Sequence, residues 1–169
     1  MSSSEKSDGA ISSELQENMN LLRQLDFFSS LRLEALKVIA YLCSRESFEP
    51  EDELISQDED SGRAFYLLSG KVTLEHTDDQ GTTMYREFGP ESFLGGLNLL
   101  AEMHSLFTVR AAVNTTCLVL TREKFGRVVE QFPDLMPKIL KAMVSGVRNW
   151  EKEFINSEGG KMRLGVSMI

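Results

Sequence analysis

A chain of 169 residues, 41% hydrophobic and 26% charged, is long enough to bury one core and has the composition of an ordinary soluble domain. Its formal net charge of −8, with Lys and Arg dispersed rather than clustered, sets it against phosphate backbones and anionic membrane surfaces. No apolar run approaches the ~18 residues of a spanning helix, so neither a membrane nor a nucleic acid is expected as a partner.

The start, MSSSEKSDGAISSE, is polar and has no apolar core region. Residues 1–12 are therefore read as a flexible tail rather than a secretory signal, and a cytoplasmic location is expected. A single domain over residues 13–155 follows. Leu15, Met19, Leu22 and Leu25 make a helical stripe. Phe27 and Phe28 sit at a break marked by Ser29 and Ser30, and a second helical stripe holds Leu33, Leu36, Ile39 and Cys43. The period then changes. From about residue 47 to 120 short strands alternate with turn clusters at Glu49-Pro50-Glu51-Asp52, Asp58–Gly62 and Asp78-Asp79-Gln80-Gly81. Val72 and Leu74 alternate with Thr73 and Glu75, as in a half-buried strand, and Phe107, Val109, Ala111 and Val113 share one face of another. Many short strands at regular spacing predict a β-roll or barrel, a double-stranded β-helix of the jelly-roll kind.

After Leu120 the pattern is helical again, with C-terminal helices over about 122–155. Thr121 is placed to cap a helix bearing Phe125, Val128, Val129 and Phe132. Pro133 interrupts it, and a longer helix runs from about Asp134 to Phe154 with Pro137 in its first turn, where backbone donors are free anyway. Residues 156–169, which include Gly159-Gly160, are read as a tail. Cys43 falls in a helical pattern and Cys117 in an apolar strand, so both are expected to be buried, reduced thiols.

Signatures of catalysis are missing. A β-roll is cupin-like, but a metal-dependent cupin enzyme needs clustered imidazoles, and His76 and His104 form no His-x-His pair. There is no Gly-x-Ser-x-Gly elbow and no phosphate loop. The acidic runs Glu49–Glu53 and Asp58–Asp60 lack the alternate spacing of a calcium loop and read as solvated turns. No catalytic residue, metal ligand or cofactor is expected.

The richest segment is Phe93 to Val113, FLGGLNLLAEMHSLFTVRAAV. Gly95, Leu97, Leu99, Thr108, Val109 and Ala111 give it a frame that resembles the phosphate-binding cassette of cyclic-nucleotide-binding domains. That family includes the bacterial catabolite-activator type of regulator and the regulatory subunits of protein kinases. The likeness extends over about Leu21 to Phe154. LLRQLDFFSSL resembles the family's entry helix and Phe turn, and FYLLSGKV, Phe65 to Val72, its aromatic-apolar run into Ser-Gly-x-Val. Gly70 permits the tight turn this needs. Gly89 matches the glycine leading into the cassette, and CLVLTREKF the last strand running into the penultimate helix. Asp52 and Glu59 depart from the pattern, standing where the family usually has Gly.

The resemblance implies a regulatory, signal-transducing protein with N-terminal helices, a β-roll and two closing helices. It also implies a ligand-binding pocket built from Gly95, Gly96, Leu97, Asn98, Ser105, Leu106, Phe107 and Thr108. In the family a Glu grips the ribose hydroxyl, and an Arg nine positions later neutralises the phosphate. Those positions are Gly96 and Ser105 here. Backbone amides at the Gly95-Gly96 start can still face a phosphate. Loss of two charged hydrogen bonds, each about 1.5–3 kcal/mol, weakens binding by roughly two to four decades. His104 and Arg110 are either replacement cations or solvent-facing residues. The expectation is a non-enzymatic regulatory or interaction module that has lost normal cyclic nucleotide binding and docks on a protein partner. The alternative is a sensor that holds a different small ligand, or a cyclic nucleotide in an altered way, in the same pocket.

Met136, Leu140, Met143, Val147, Trp150 and Phe154 repeat at heptad spacing, and Ile139 and Val144 widen the stripe. It packs either on the chain's own roll or on a second subunit. In the bacterial regulators the corresponding helix pairs two subunits, so a homodimer through this helix is expected. Transcription factors of that kind carry a helix-turn-helix unit after it, and the fifteen residues beyond Phe154 are too few for one.

Overall fold

The computed structural model describes residues 3–156 and builds two four-stranded antiparallel sheets from eight short strands. In the first sheet β1 (Ser44–Phe48), β8 (Thr115–Thr121), β3 (Arg63–Ser69) and β6 (Phe93–Leu94) lie in that order. In the second the order is β2 (Glu53–Ile55), β7 (Thr108–Ala111), β4 (Val72–Asp78) and β5 (Gly81–Phe88). The helices are α1 (Ser3–Gln24), α2 (Asp26–Ser29), α3 (Leu33–Leu42), α4 (Arg122–Gln131) and α5 (Leu135–Asn156). Helix α1 begins at Ser3, inside the stretch read from sequence as a flexible tail.

Two apolar cores share the first sheet. Between the sheets, Phe65, Leu67, Cys117 and Val119 from β3 and β8 meet Val72, Leu74, Phe88, Val109 and Ala111 from the second sheet. On the other face Ala64, Tyr66, Leu118 and Leu120 pack against Phe28, Leu36, Ile39, Phe125 and Leu135 of the helices. Strands buried on both faces read as continuous apolar runs, which is why AFYLL and CLVL show little alternation. Burial pushes the Cys117 thiol up to about 12, so it stays protonated, as expected of a buried core cysteine. The face expected to include Val113 stops at Ala111: β7 ends there, and Val113 is exposed.

The turns are specified locally. Gly70 has φ +92°, and a Cβ there would lie 2.4 Å from Thr115 Oγ1. This close approach lets Lys71 N donate to Thr115 Oγ1 at 3.1 Å and closes one end of the roll. Left-handed backbone also occurs at Glu51, Asp58 and Glu91. The first two immediately precede Asp52 and Glu59, the positions where the family pattern usually has glycine. Thr121 caps α4 by accepting from Lys124 N at 3.3 Å.

Candidate functional site

The cassette begins at Gly95, whose φ of +74° and approach to Arg63 O, 2.5 Å from where a Cβ would stand, admit only glycine. A 3-10 turn over Gly96–Leu99 follows. Gly96 is buried, and its missing side chain points at aromatic rings. An added Cβ would lie 2.9 Å from Phe93 Cε1 and 3.5 Å from Phe27 Cε2, on the helix side of the sheet rather than between the sheets. Buried Asn98 donates through Nδ2 to Ser61 Oγ at 2.8 Å and to Arg63 O at 3.3 Å. Its carbonyl accepts from Arg122 Nε at 2.6 Å, while the rest of that guanidinium grips Asp60.

The far limb of the cassette is zipped to the loop between β2 and β3. Ser105 N donates to Glu59 O at 3.0 Å, and Ser105 O accepts from Asp58 N at 2.8 Å. Gln57 N donates to Thr108 Oγ1 at 3.1 Å. The Ser105 hydroxyl turns back on its own loop, donating to Phe107 O at 2.6 Å and accepting from Phe107 N at 3.2 Å. Phe107 packs against the inter-sheet core and meets Tyr85 and His76 edge-on, with ring centroids 5.7 and 6.0 Å away. Leu106 is 70% exposed, and its carbonyl accepts from His76 Nδ1 at 2.9 Å.

The eight residues expected to line a pocket are thus held on one loop but do not converge. Gly96 and Leu97 face the helices, Asn98 faces the β2–β3 loop, Leu106 faces solvent, and Phe107 alone reaches the inter-sheet core. Neither candidate cation fills the place of the Arg. His104 is exposed. Arg110 lies on the outer face of β7, between the inward Val109 and Ala111, where it pairs with Glu53 at 2.7 Å and Glu75 at 3.3 Å. Charged groups on the inner face are ones the sequence reading missed: Arg63, stacked 5.1 Å from the Phe65 ring, forms an ion pair with Glu46, and Arg86 lies 5.2 Å over the Phe88 ring. Their register signals it, since each lies two residues from an inward phenylalanine, Phe65, Phe48 or Phe88. Among the described residues no cluster of His, Cys, Asp and Glu is arranged to hold a metal ion.

Helix α5 crosses the cassette. Leu135 and Ile139 are buried, Met143 packs on the same core, and Asp26, Phe27, Leu97, Ala142, Met143, Gly146 and Val147 line a cavity of about 120 Å³. The expected heptad stripe therefore divides. Ile139 and Met143 belong to the chain's own core, Val147 lines the cavity rim, and Met136, Leu140 and Val144 are exposed. The side chains of Trp150 and Phe154 lie outside the described residues.

Residues 45–132 match the family model of the cyclic nucleotide-binding domain. The chain belongs to the cyclic nucleotide-binding domain family. Its two sheets and flanking helices are that family's β-roll, and its members are regulatory and binding domains. A cyclic nucleotide-binding-like protein from Brucella abortus is 27% identical, with 68% of this chain and 98% of that one covered and a TM-score of 0.62. The N-terminal domain of a transcriptional regulator from Streptomyces coelicolor is 21% identical over 83% of this chain and 99% of its own, with a TM-score of 0.69. The regulatory subunit of a cAMP-independent protein kinase A from Trypanosoma brucei is 24% identical over 77% of this chain and 48% of its own, with a TM-score of 0.59. A mutant of that subunit, one of whose substitutions introduces an arginine, is bound to cAMP in its A site. The last two proteins speak to fold alone. No helix among the described residues is long and apolar enough to cross a membrane.

Proposed function

We propose that this chain is a non-enzymatic regulatory and interaction module whose roll does not take a cyclic nucleotide in the family's usual way. The observation that carries this reading is Ser105. It stands where the family's phosphate-binding Arg belongs, and it spends both its hydroxyl and its backbone on its own loop and the β2–β3 loop. A phosphate placed between the sheets would meet no cation from the cassette, and Arg110 is committed to Glu53 and Glu75 outside. The T. brucei subunit offers a parallel in the same fold: it is described as cAMP-independent, and the cAMP-bound form carries an introduced arginine.

The module acts in the cytoplasm as a homodimer through α5 and docks on a protein partner. Met136, Leu140 and Val144 recur at helical spacing on the exposed flank of α5 beside the buried Leu135 and Ile139, and with Val147 at the rim of the cavity they supply an apolar face for the pairing. Calorimetry with cyclic AMP and cyclic GMP tests the first part, with binding no tighter than high micromolar expected. Native mass spectrometry reports subunit number and any retained ligand together. A second reading, a sensor for a small apolar ligand, is favoured by the cavity between Phe27, Leu97 and α5. A small molecule that co-purifies and is displaced by filling this cavity at Gly146 would decide for it.

A further inference from the structure

Strand β5 is the outermost strand of its sheet among the described residues. It is eight residues long, and every residue from Gly81 to Tyr85 is exposed, with Met84 at 59% and Tyr85 at 50%. A free edge of this length exposes unpaired N–H and C=O groups that template another strand, and natural sheets usually blunt it with Pro, Lys or a covering element. β5 contains neither Pro nor Lys; its one bulge is at Tyr85, opposite the step from Leu74 to Glu75, and residues 81–84 keep an unbroken register with residues 75–78. The edge has a chemical character. Tyr85 meets Phe107 edge-on, Met84 is exposed opposite the outward Glu75, and the hairpin tip carries Asp78 and Asp79, which make no ion pair among the described residues. At the opposite end Glu87 is taken by Lys71 at 3.5 Å, and Arg86 stacks on Phe88.

The same chain holds a segment of matching character outside the described residues. Residues 161–169 read Lys-Met-Arg-Leu-Gly-Val-Ser-Met-Ile. Met162, Leu164, Val166 and Met168 alternate with Lys161, Arg163, Gly165 and Ser167, the period of a strand with one apolar face. Its only charges are two cations in a chain of net charge −8. Gly159-Gly160 just before it admits a reversal of direction.

We propose that residues 162–168 add to the free edge of β5 of their own chain as a further strand. Its apolar alternates lie on the inner face beside Tyr85, and Lys161 and Arg163 lie beside Asp78 and Asp79. The charges set the direction: cations at the hairpin tip require the added strand to run parallel to β5. Main-chain hydrogen bonds supply affinity in such an addition, and the alternate side chains supply specificity. The inference goes beyond the proposed function and does not depend on the state of the cassette.

The test is amide hydrogen exchange on the full chain, compared with full chains carrying Leu164→Asp and Val166→Asp. The β5 amides that do not bond to β4 are expected to exchange at least about tenfold faster in the double variant, with β3 and β8 unchanged. Equal β5 rates overturn the proposal. Protection that disappears on dilution assigns the strand to a second copy and overturns its single-chain form. A charge swap tests the direction. Asp78→Lys with Asp79→Lys should lose protection, and adding Lys161→Glu with Arg163→Glu should restore it; failure of the swap to restore protection overturns the parallel arrangement.

Discussion

Arg122 holds Asp60 through two guanidinium nitrogens at 2.7 and 2.5 Å, while its Nε donates to Asn98 O at 2.6 Å. One side chain at the start of α4 thereby fixes both the β2–β3 loop and the cassette. Hydrogen bonding to Arg122 holds the Asp60 carboxyl down at about 2. A carboxylate held below its unfolded value of about 3.9 contributes stability that is fully present above that value and is lost as pH falls toward the folded one. The difference in Tm between wild type and Asp60→Asn should be constant above about pH 5 and shrink between about pH 4 and pH 2. A difference that does not change over this window means the clamp is not formed in solution.

Gly96→Glu should not recreate a ribose-binding carboxylate. A Cβ at Gly96 already stands 2.9 Å from Phe93 Cε1, and the remaining atoms would carry a charge among Phe27 and Phe93. Overpacking plus an unpaired buried charge predicts a loss of about 3 kcal/mol or more. Urea unfolding measures it. An unperturbed midpoint together with cyclic nucleotide binding would show that the side chain finds the inter-sheet space after all.

Glu91→Gly should stabilise the protein. Ser92 N bonds to Gly89 O at 3.3 Å, closing a turn with Pro90 second and Glu91 third, and Glu91 has φ +71°. That is the position where a type II turn favours glycine. Relief of left-handed strain, less the extra backbone entropy lost by glycine, leaves a gain of about 0.5–1 kcal/mol, or ~1–4 °C in Tm. Calorimetric melting checks the sign, and a lowered Tm refutes it.

Leu140→Glu with Val144→Glu should convert a dimer into a monomer without loss of helix. These side chains are 58% and 53% exposed in the single chain, so charging them costs the fold little. In a paired helix they would become buried and unmatched. Light scattering with circular dichroism separates the outcomes: a double variant that stays dimeric places the interface elsewhere.

The fold was legible wherever burial leaves one answer. The apolar runs of β3 and β8, the cap at Thr121 and the break at Pro133 all stand where the sequence indicates. Helix α1 escaped in its first turns because Ser3 to Ser12 carries no apolar stripe, and periodicity is blind to a polar helix. The site was read in part. The family frame points to Gly96 and Ser105 along the chain, but a glycine has no side chain to reveal its direction, and only the packing of Phe27 and Phe93 supplies one. Glu46 and Arg63 were missed because charge argues for the outside of a strand, and their mutual pairing is what permits the inside.

Adjacent residues of β3 serve different neighbours: Phe65 looks into the roll, and Tyr66 looks at the helices. A wall one strand thick leaves the two compartments little independence. An enlarged or emptied inner core must displace the same backbone against which Phe28 and Ile39 rest. The helical layer and the roll should therefore melt in a single cooperative step. Any event that moves the roll is thereby transmitted to the helices by a shared partition, without a hinge.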